Sequence, residues 1–207
     1  MNLLIFYLNN FMRIFIAVLV LIFSLQSWAK AEGLEDLNIE EFQIGESLLN
    51  YFSKEQIIKN TSKTVFKDTD KKFQAFFTDH PVKLKSYDTY QYVRVTYLNN
   101  NEFLIYGISG MRDYEKDDMQ KCYLLQKKIE EEFDNLFSNF KKNKEVFSSR
   151  MDSTGKSKIT GIYYYTENGY AEIACYDFAE HIKIASGIDV SITSNSLKDW
   201  LNSLAKN

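Results

Sequence analysis

From Cys122 to Phe140 the apolar residues return every three or four positions, as Cys122, Leu125, Ile129, Phe133, Leu136 and Phe140. That spacing lines one stripe of a helix and predicts a helix over about 118–139. Acids stand at its start (Asp117, Asp118) and lysines at its end (Lys141, Lys142, Lys144), which suits the helix dipole. Ile44, Leu48, Leu49 and Phe52 also recur at helical spacing, and Ser53 with Gln56 forms a capping-box pattern ahead of Ile57 and Ile58. Two short helices are expected within 46–60. A last amphipathic helix is expected after Asn195 or Ser196, carrying Leu197, Trp200, Leu201 and Leu204.

Elsewhere the period is two. Residues 90–98 alternate, with Gln91, Val93, Val95 and Tyr97 on one side and Tyr90, Tyr92, Arg94 and Thr96 on the other. Asn99 to Asn101 breaks this strand, and 103–109 reads as its return, with Gly107 and Gly110 marking a bulge or a close backbone approach. Residues 64–66 and 73–78 read as strands around a polar turn at 68–72. Residues 159–166 and 170–176 flank Glu167-Asn168-Gly169, and Asn-Gly between two aromatic strands is a strong hairpin signal. Ile188, Val190 and Ile192 alternate with Asp189, Ser191 and Thr193 in a further strand. Strands come in runs instead of alternating with helices. The fold class is therefore α+β: an antiparallel sheet of hairpins and meanders, one long helix packed across one face, short N-terminal helices and a C-terminal helix.

The composition is that of a globular chain with extra aromatics: 45% hydrophobic, 15% aromatic, one Pro, net charge -3. It excludes disorder, collagen and a disulfide-dense miniprotein, and the mild acidity argues against nucleic acid as a partner. Lys outnumbers Arg, which reads as the codon bias of an AT-rich bacterial genome.

The N-terminus changes the picture most. Arg13 precedes an apolar run from Ile14 to Leu25, and Ala29-Lys30-Ala31 follows. A basic flank, a short apolar core and a small-x-small site make a secretory signal peptide. A retained anchor is the alternative, but a run of 12 residues, apolar except for Ser24, falls short of the roughly 20 that a spanning helix needs. Cleavage is expected after Ala29 or Ala31, with Met12 as an alternative start. The reading is then a cleaved signal over 1–31, a mobile acidic segment over 32–45 and a single α+β domain over 46–207. The mature chain of 176 residues carries net charge -5 and is placed in the periplasm or outside the cell, without a stable membrane span.

Two cysteines in an exported chain suggest one disulfide. Cys122 lies on the helical stripe, and Cys175 shares a strand face with Ala171 and Ile173. If the helix covers that face, the two sulfurs meet. Separate buried thiols remain the alternative; a nucleophilic cysteine would need a base beside it, and nothing brings His80 or His181 near either one.

No phosphate-binding loop, nucleophile elbow, zinc motif or dinucleotide fingerprint is present in the sequence, so no cofactor, metal or catalytic residue is assigned. Asp68-Thr69-Asp70 starts like a calcium loop but lacks the glycine and the distal glutamate, and reads as a polar turn. Glu130 to Glu132 read as a solvated helix face. The candidate binding residues are Tyr90, Tyr92, Arg94, Tyr170, Glu172 and Tyr176, which alternation turns away from the long helix. Aromatic area with a few polar groups suits recognition. The competing reading is strand propensity, with a terminal helix covering the tyrosines through Leu48, Phe52, Trp200 or Leu204.

Ile44-Gly45-Glu46-Ser47-Leu48-Leu49, then Tyr51-Phe52-Ser53, and later Gly107-Ile108-Ser109-Gly110 ahead of Cys122, resemble small exported proteins of AT-rich bacteria that have no known activity. The Ile-Gly-x-Ser start also resembles small envelope domains of the outer-membrane assembly lipoprotein type, without their lipidation cysteine. The resemblance implies export and an α+β domain and adds no catalytic residue. Two function classes follow: a non-catalytic envelope or binding module, whose partner is an unknown ligand or envelope protein, and a periplasmic or secreted hydrolase whose site only the fold assembles.

Overall fold

The computed structural model describes residues 33–66 and 69–204. The signal segment and its cleavage sites, and Asp68 of the polar turn, lie outside the described residues. The chain runs β1 (Asn38–Ile39), β2 (Phe42–Gln43), α1 (Lys54–Asn60), β3 (Phe73–Phe77), β4 (Tyr92–Leu98), β5 (Ile105–Tyr114), α2 (Met119–Leu136), β6 (Lys141–Ser148), β7 (Lys158–Tyr165), β8 (Gly169–Asp177), β9 (Ser186–Ser194) and α3 (Asn195–Leu204). Seven strands form one antiparallel sheet in the order β3-β4-β5-β9-β8-β7-β6. Two meanders, β3–β5 and β6–β9, are joined through α2, and β9 closes the sheet against β5. Among the described residues the fold is mixed α and β with a large antiparallel sheet and three α-helices.

One sheet face, the inner face, carries the main core. Val93, Val95, Ile108, Ile188, Val190, Ile192, Ala171, Ile173, Ile162 and Tyr164 project from the strands to meet Met119, Cys122 and Ile129 of α2. Cys122 and Cys175 are joined by a disulfide in this layer, with Cα atoms 6.1 Å apart. The stripe on α2 differs from the one expected. Leu136 is exposed and Gln126 is buried. Gln126 fits because its Nε2 donates to the carbonyls of Thr160 and Ile173, at 2.7 and 2.9 Å, so a polar side chain enters the core satisfied.

The rest of the inner face is covered by the N-terminal part. Residues 33–45, expected to be mobile, instead contribute Leu34, Leu37, Ile39 and Phe42 to the same core. Asp36 and Glu40 are exposed while a 3-10 turn and the β1–β2 hairpin bury the apolar positions. Leu48, Phe52 and Ile57 follow, and α1 starts at the Ser53–Gln56 capping box.

Three further expectations are corrected. Residues 64–66 form a turn, where the Ser62 hydroxyl accepts from the Thr64 and Val65 amides and so replaces strand pairing. Lys141, Lys142 and Lys144 do not extend the long helix. They begin β6, which pairs along its length with β7. The bulge falls at Tyr106, between Thr96 and Tyr97 of the facing strand, and not at a glycine. Gly107 serves the close approach that was the other option: a Cβ there would lie 2.5 Å from Leu197 Cδ2, so its bareness lets α3 sit on the sheet.

Candidate binding groove on the outer sheet face

Register builds the outer face row by row. One row reads Phe77, Arg94, Ser109, Ser191, Glu172, Tyr163 and Asn143 across all seven strands. The next reads Tyr92, Met111, Asp189, Ala174, Gly161 and Glu145. On either side lie the rows Thr96, Gly107, Thr193, Tyr170, Tyr165 and Asp113, Gly187, Tyr176, Ile159, Phe147. Period-two alternation makes these the obligate partners of the apolar inner rows.

Helix α3 covers only one end of this face. Leu197 and Trp200 are buried there against Phe73, with Phe66, Tyr106 and Leu201 around them. The Trp200 indole donates to Asp70 at 2.9 Å and fixes the helix. Among the described residues, the face beyond α3 lies open as a groove with two lobes. One lobe, of about 220 Å³, is bounded by Phe66, Leu197 and Leu201. The other, of about 260 Å³, is bounded by Met111, Phe178 and Ile184. Arg94, Tyr176 and Asp189 line both.

Charged groups hold the junction. An Arg94 guanidinium nitrogen (Nη2) donates to the Ser109 hydroxyl at 2.9 Å and stands 3.6 Å from Asp189 Oδ2. Asp189 Oδ1 is out of solvent and has no hydrogen-bond partner. Burial raises the Asp189 carboxyl, against the pull of Arg94 and of the Ser109 hydroxyl. Glu172 is pushed up to about 7, first by burial and then by the charge of Asp189, with the Tyr163 hydroxyl and Arg94 opposing. One arginine thus faces two carboxyls. Tyr163, Tyr165 and Tyr170 form a triangle of rings with centroids 6.3 to 6.4 Å apart at one side of Glu172. Tyr176 stacks on Phe178 at 5.9 Å on the other.

Five of the six residues singled out from sequence, Tyr92, Arg94, Tyr170, Glu172 and Tyr176, stand on this face. Tyr90 does not. The chain bends at Gln91, before β4 begins, and the Tyr90 ring lies against Gly110 on the inner face, next to the main core. All six side chains are half-buried, so neither full exposure nor full enclosure describes them. The competing expectation, a terminal helix over the tyrosines, is met only at the α3 end. Sequence reasoning missed Asp189, Ser109 and Ser191. The Ile188-Val190-Ile192 alternation already turned Asp189 and Ser191 to this side, and that signal could have found them.

The histidines stand apart from the junction. His181 Nε2 meets Asp152 Oδ1 at 3.0 Å. The Asp152 carboxyl also accepts from the Thr154 and Ser157 hydroxyls and amides, which hold it well below the usual carboxylate range. This contact joins the loop after β6 to the loop after β8, which carries the groove wall at Phe178 and Ile184. Among the described residues no group of three or more His, Cys, Asp or Glu could hold a metal ion, and no helix is long and apolar enough to cross a membrane. No family model matches the chain, and no curated protein or solved structure is significantly similar to it.

Proposed function

We propose that the mature chain is an exported, non-catalytic binding module of the periplasm or extracellular space, and that its ligand occupies the groove on the outer sheet face. The observation that carries this reading is the junction. Antiparallel sheet faces left open are ordinarily covered by short polar side chains in water. This face instead sinks one arginine and two carboxyls between tyrosines, with a carboxylate oxygen unpaired. Groups of that kind cost stability where they stand and are recovered only when something binds. The Cys122–Cys175 disulfide accords with an oxidising compartment, and the Arg13 to Ala31 pattern with export.

The test is a binding screen of protein purified from a secreting host against glycan, peptide and lipid panels. Binding should be lost in Tyr92→Ala/Tyr176→Ala while the circular dichroism spectrum is kept. Ligand capture that survives this double change would place the site elsewhere and overturn the reading. Intact mass of the same protein tests export: a mass that still includes residues 14–25 removes that part of the proposal.

One observation favours the second class. Two carboxyls side by side, one of them raised to about 7, can serve as a general acid with its partner, as in glycoside hydrolysis. Turnover of a panel ligand that disappears in Glu172→Gln, with binding retained, would select the hydrolase.

A further inference from the structure

The groove has an electrostatic sign. Besides Glu172 and Asp189, the outer rows carry Asp113 on β5 and Glu145 on β6. Among the described residues, Arg94 is the one cation at the junction; Lys141 pairs with Tyr165 at the β6 edge, and Arg150 lies beyond Tyr176. Arg94 is spent on the Ser109 hydroxyl and sits too far from Asp189 for a hydrogen bond. Tyrosine walls add π faces, whose negative charge density attracts cations and does not attract anions. The lobes on either side of the charged junction end on apolar side chains, Phe66, Leu197 and Leu201 at one end and Met111, Phe178 and Ile184 at the other.

From this placement we infer that the groove takes an organic cation, with an ammonium group at the Glu172–Asp189 junction and an apolar or aromatic body lying in a lobe. The inference rests on the groove being the binding site and names the chemistry of its ligand. A positive charge there offsets the second carboxyl, which Arg94 leaves unmatched, and the half-buried position withholds that compensation from bulk salt. An anion would face two carboxyls across one arginine. A neutral sugar would find rings and hydroxyls but leave the charge imbalance in place.

Three probes of one shape separate these cases: phenethylamine, 2-phenylethanol and phenylacetate. Each is titrated into the full exported protein at pH 8, with the amide resonances of Ser109, Gly187 and Asp189 as the readout. Phenethylamine should shift these amides saturably, with the alcohol at least about tenfold weaker and the carboxylate without saturation. Asp189→Asn should weaken the amine by about tenfold, and Glu172→Gln by severalfold, while leaving the resonances of Ile162 and Ile173 in the inner core unmoved. If the alcohol or the carboxylate binds as well as the amine, the cation inference is overturned and the groove stands as a site of other chemistry. The same holds if the amine is silent while a neutral or anionic panel compound moves these amides. If these amides respond to no probe and to no panel compound, both the cation inference and the groove reading fall.

Discussion

The two faces of the sheet come from the same strands and the same alternation, yet they have been finished in opposite ways. The inner face is closed. The N-terminal turns, α1 and α2 cover it, the Gln126 amide that enters it is satisfied by two carbonyls, and the disulfide fixes α2 to β8. The outer face is finished only where α3 sits, and its middle keeps half-buried tyrosines and two carboxyls against one arginine. Where a chain closes one side so thoroughly and leaves charge unmatched on the other, the stability comes from the first and the chemistry belongs to the second. That division can be broken by measurement.

The largest effect should come from the inner face. Replacing both Cys122 and Cys175 by Ala opens a loop of 53 residues in sequence. On the chain-entropy estimate this costs roughly 4 kcal/mol, or a melting temperature lower by roughly 10 °C for a domain of this size. The matched double on the outer face, Ser109→Ala with Ser191→Ala, should cost about 2 kcal/mol at most, because two modest hydrogen-bonding groups are lost. Thermal unfolding of the two doubles side by side decides it. Equal losses would mean that the outer face bears as much of the fold as the inner one.

How far this division was legible from the sequence depends on what each residue advertises. Alternation along β4, β8 and β9 assigned both faces, and the stripe on α2 together with the face of Cys175 brought the two sulfurs together. The strand β6 was invisible. Its sequence, Lys-Lys-Asn-Lys-Glu-Val-Phe-Ser, has no apolar face because it is an exposed edge strand, and lysines on an edge discourage pairing with other chains. Residues 33–45 hid for a different reason: a 3-10 turn and a two-residue hairpin bury Leu34, Leu37, Ile39 and Phe42 at no regular period. Tyr90 was misplaced because alternation was carried one bend too far, past Gln91. The amphipathic pattern of α3 gave a buried side but not what lay beneath it; that depended on Gly107, Phe73 and the Tyr106 bulge meeting in space.

The middle-sized effect belongs to Glu172 and should have the opposite sign. Its folded pKa, about 7, lies above the ordinary 4.5. Below about 4.5 the carboxyl is protonated in both states and contributes nothing. As pH rises from there, the unfolded chain gives up the proton while the folded chain keeps it, so stability falls until about pH 7 and then levels off. At pH 8 the loss is on the order of 3 kcal/mol, taking about 1.4 kcal/mol per unit. Glu172→Gln should therefore stabilise the protein at pH 8 and leave it nearly unchanged at pH 4. Denaturant unfolding across that range reads the result. A Gln variant that is less stable at pH 8 would show that the outer face is satisfied as it stands, and the contrast between the faces would lose its basis.

The smallest effect lies at the rim of the inner face, where charge also gathers but on different terms. Lys142 of β6 reaches Glu130 and Asp134 of α2, Lys144 joins Glu130, and the Tyr164 hydroxyl donates to Asp134 at 2.7 Å. These ions are matched in number, with side-chain exposures of 12% for Glu130, 27% for Lys142, 47% for Asp134 and 59% for Lys144. Exposed pairs of this kind are worth about 1 kcal/mol or less. Lys142→Met keeps an apolar stem and removes the ammonium, which pairs with the carboxylates and lies 5.4 Å from the centre of the Tyr164 ring. It should cost under about 1 kcal/mol in dilute buffer, and the difference should vanish near 1 M NaCl, where the screening length is about 3 Å. The Glu172→Gln gain should persist in the same salt, because burial, which salt does not screen, is its leading cause. If both effects disappear together, the outer carboxyls are as solvated as the rim, and the junction is a surface ion pair. If only the Lys142 effect disappears, charge at the rim of this sheet is ordinary solvated pairing, and charge in the groove is held out of water.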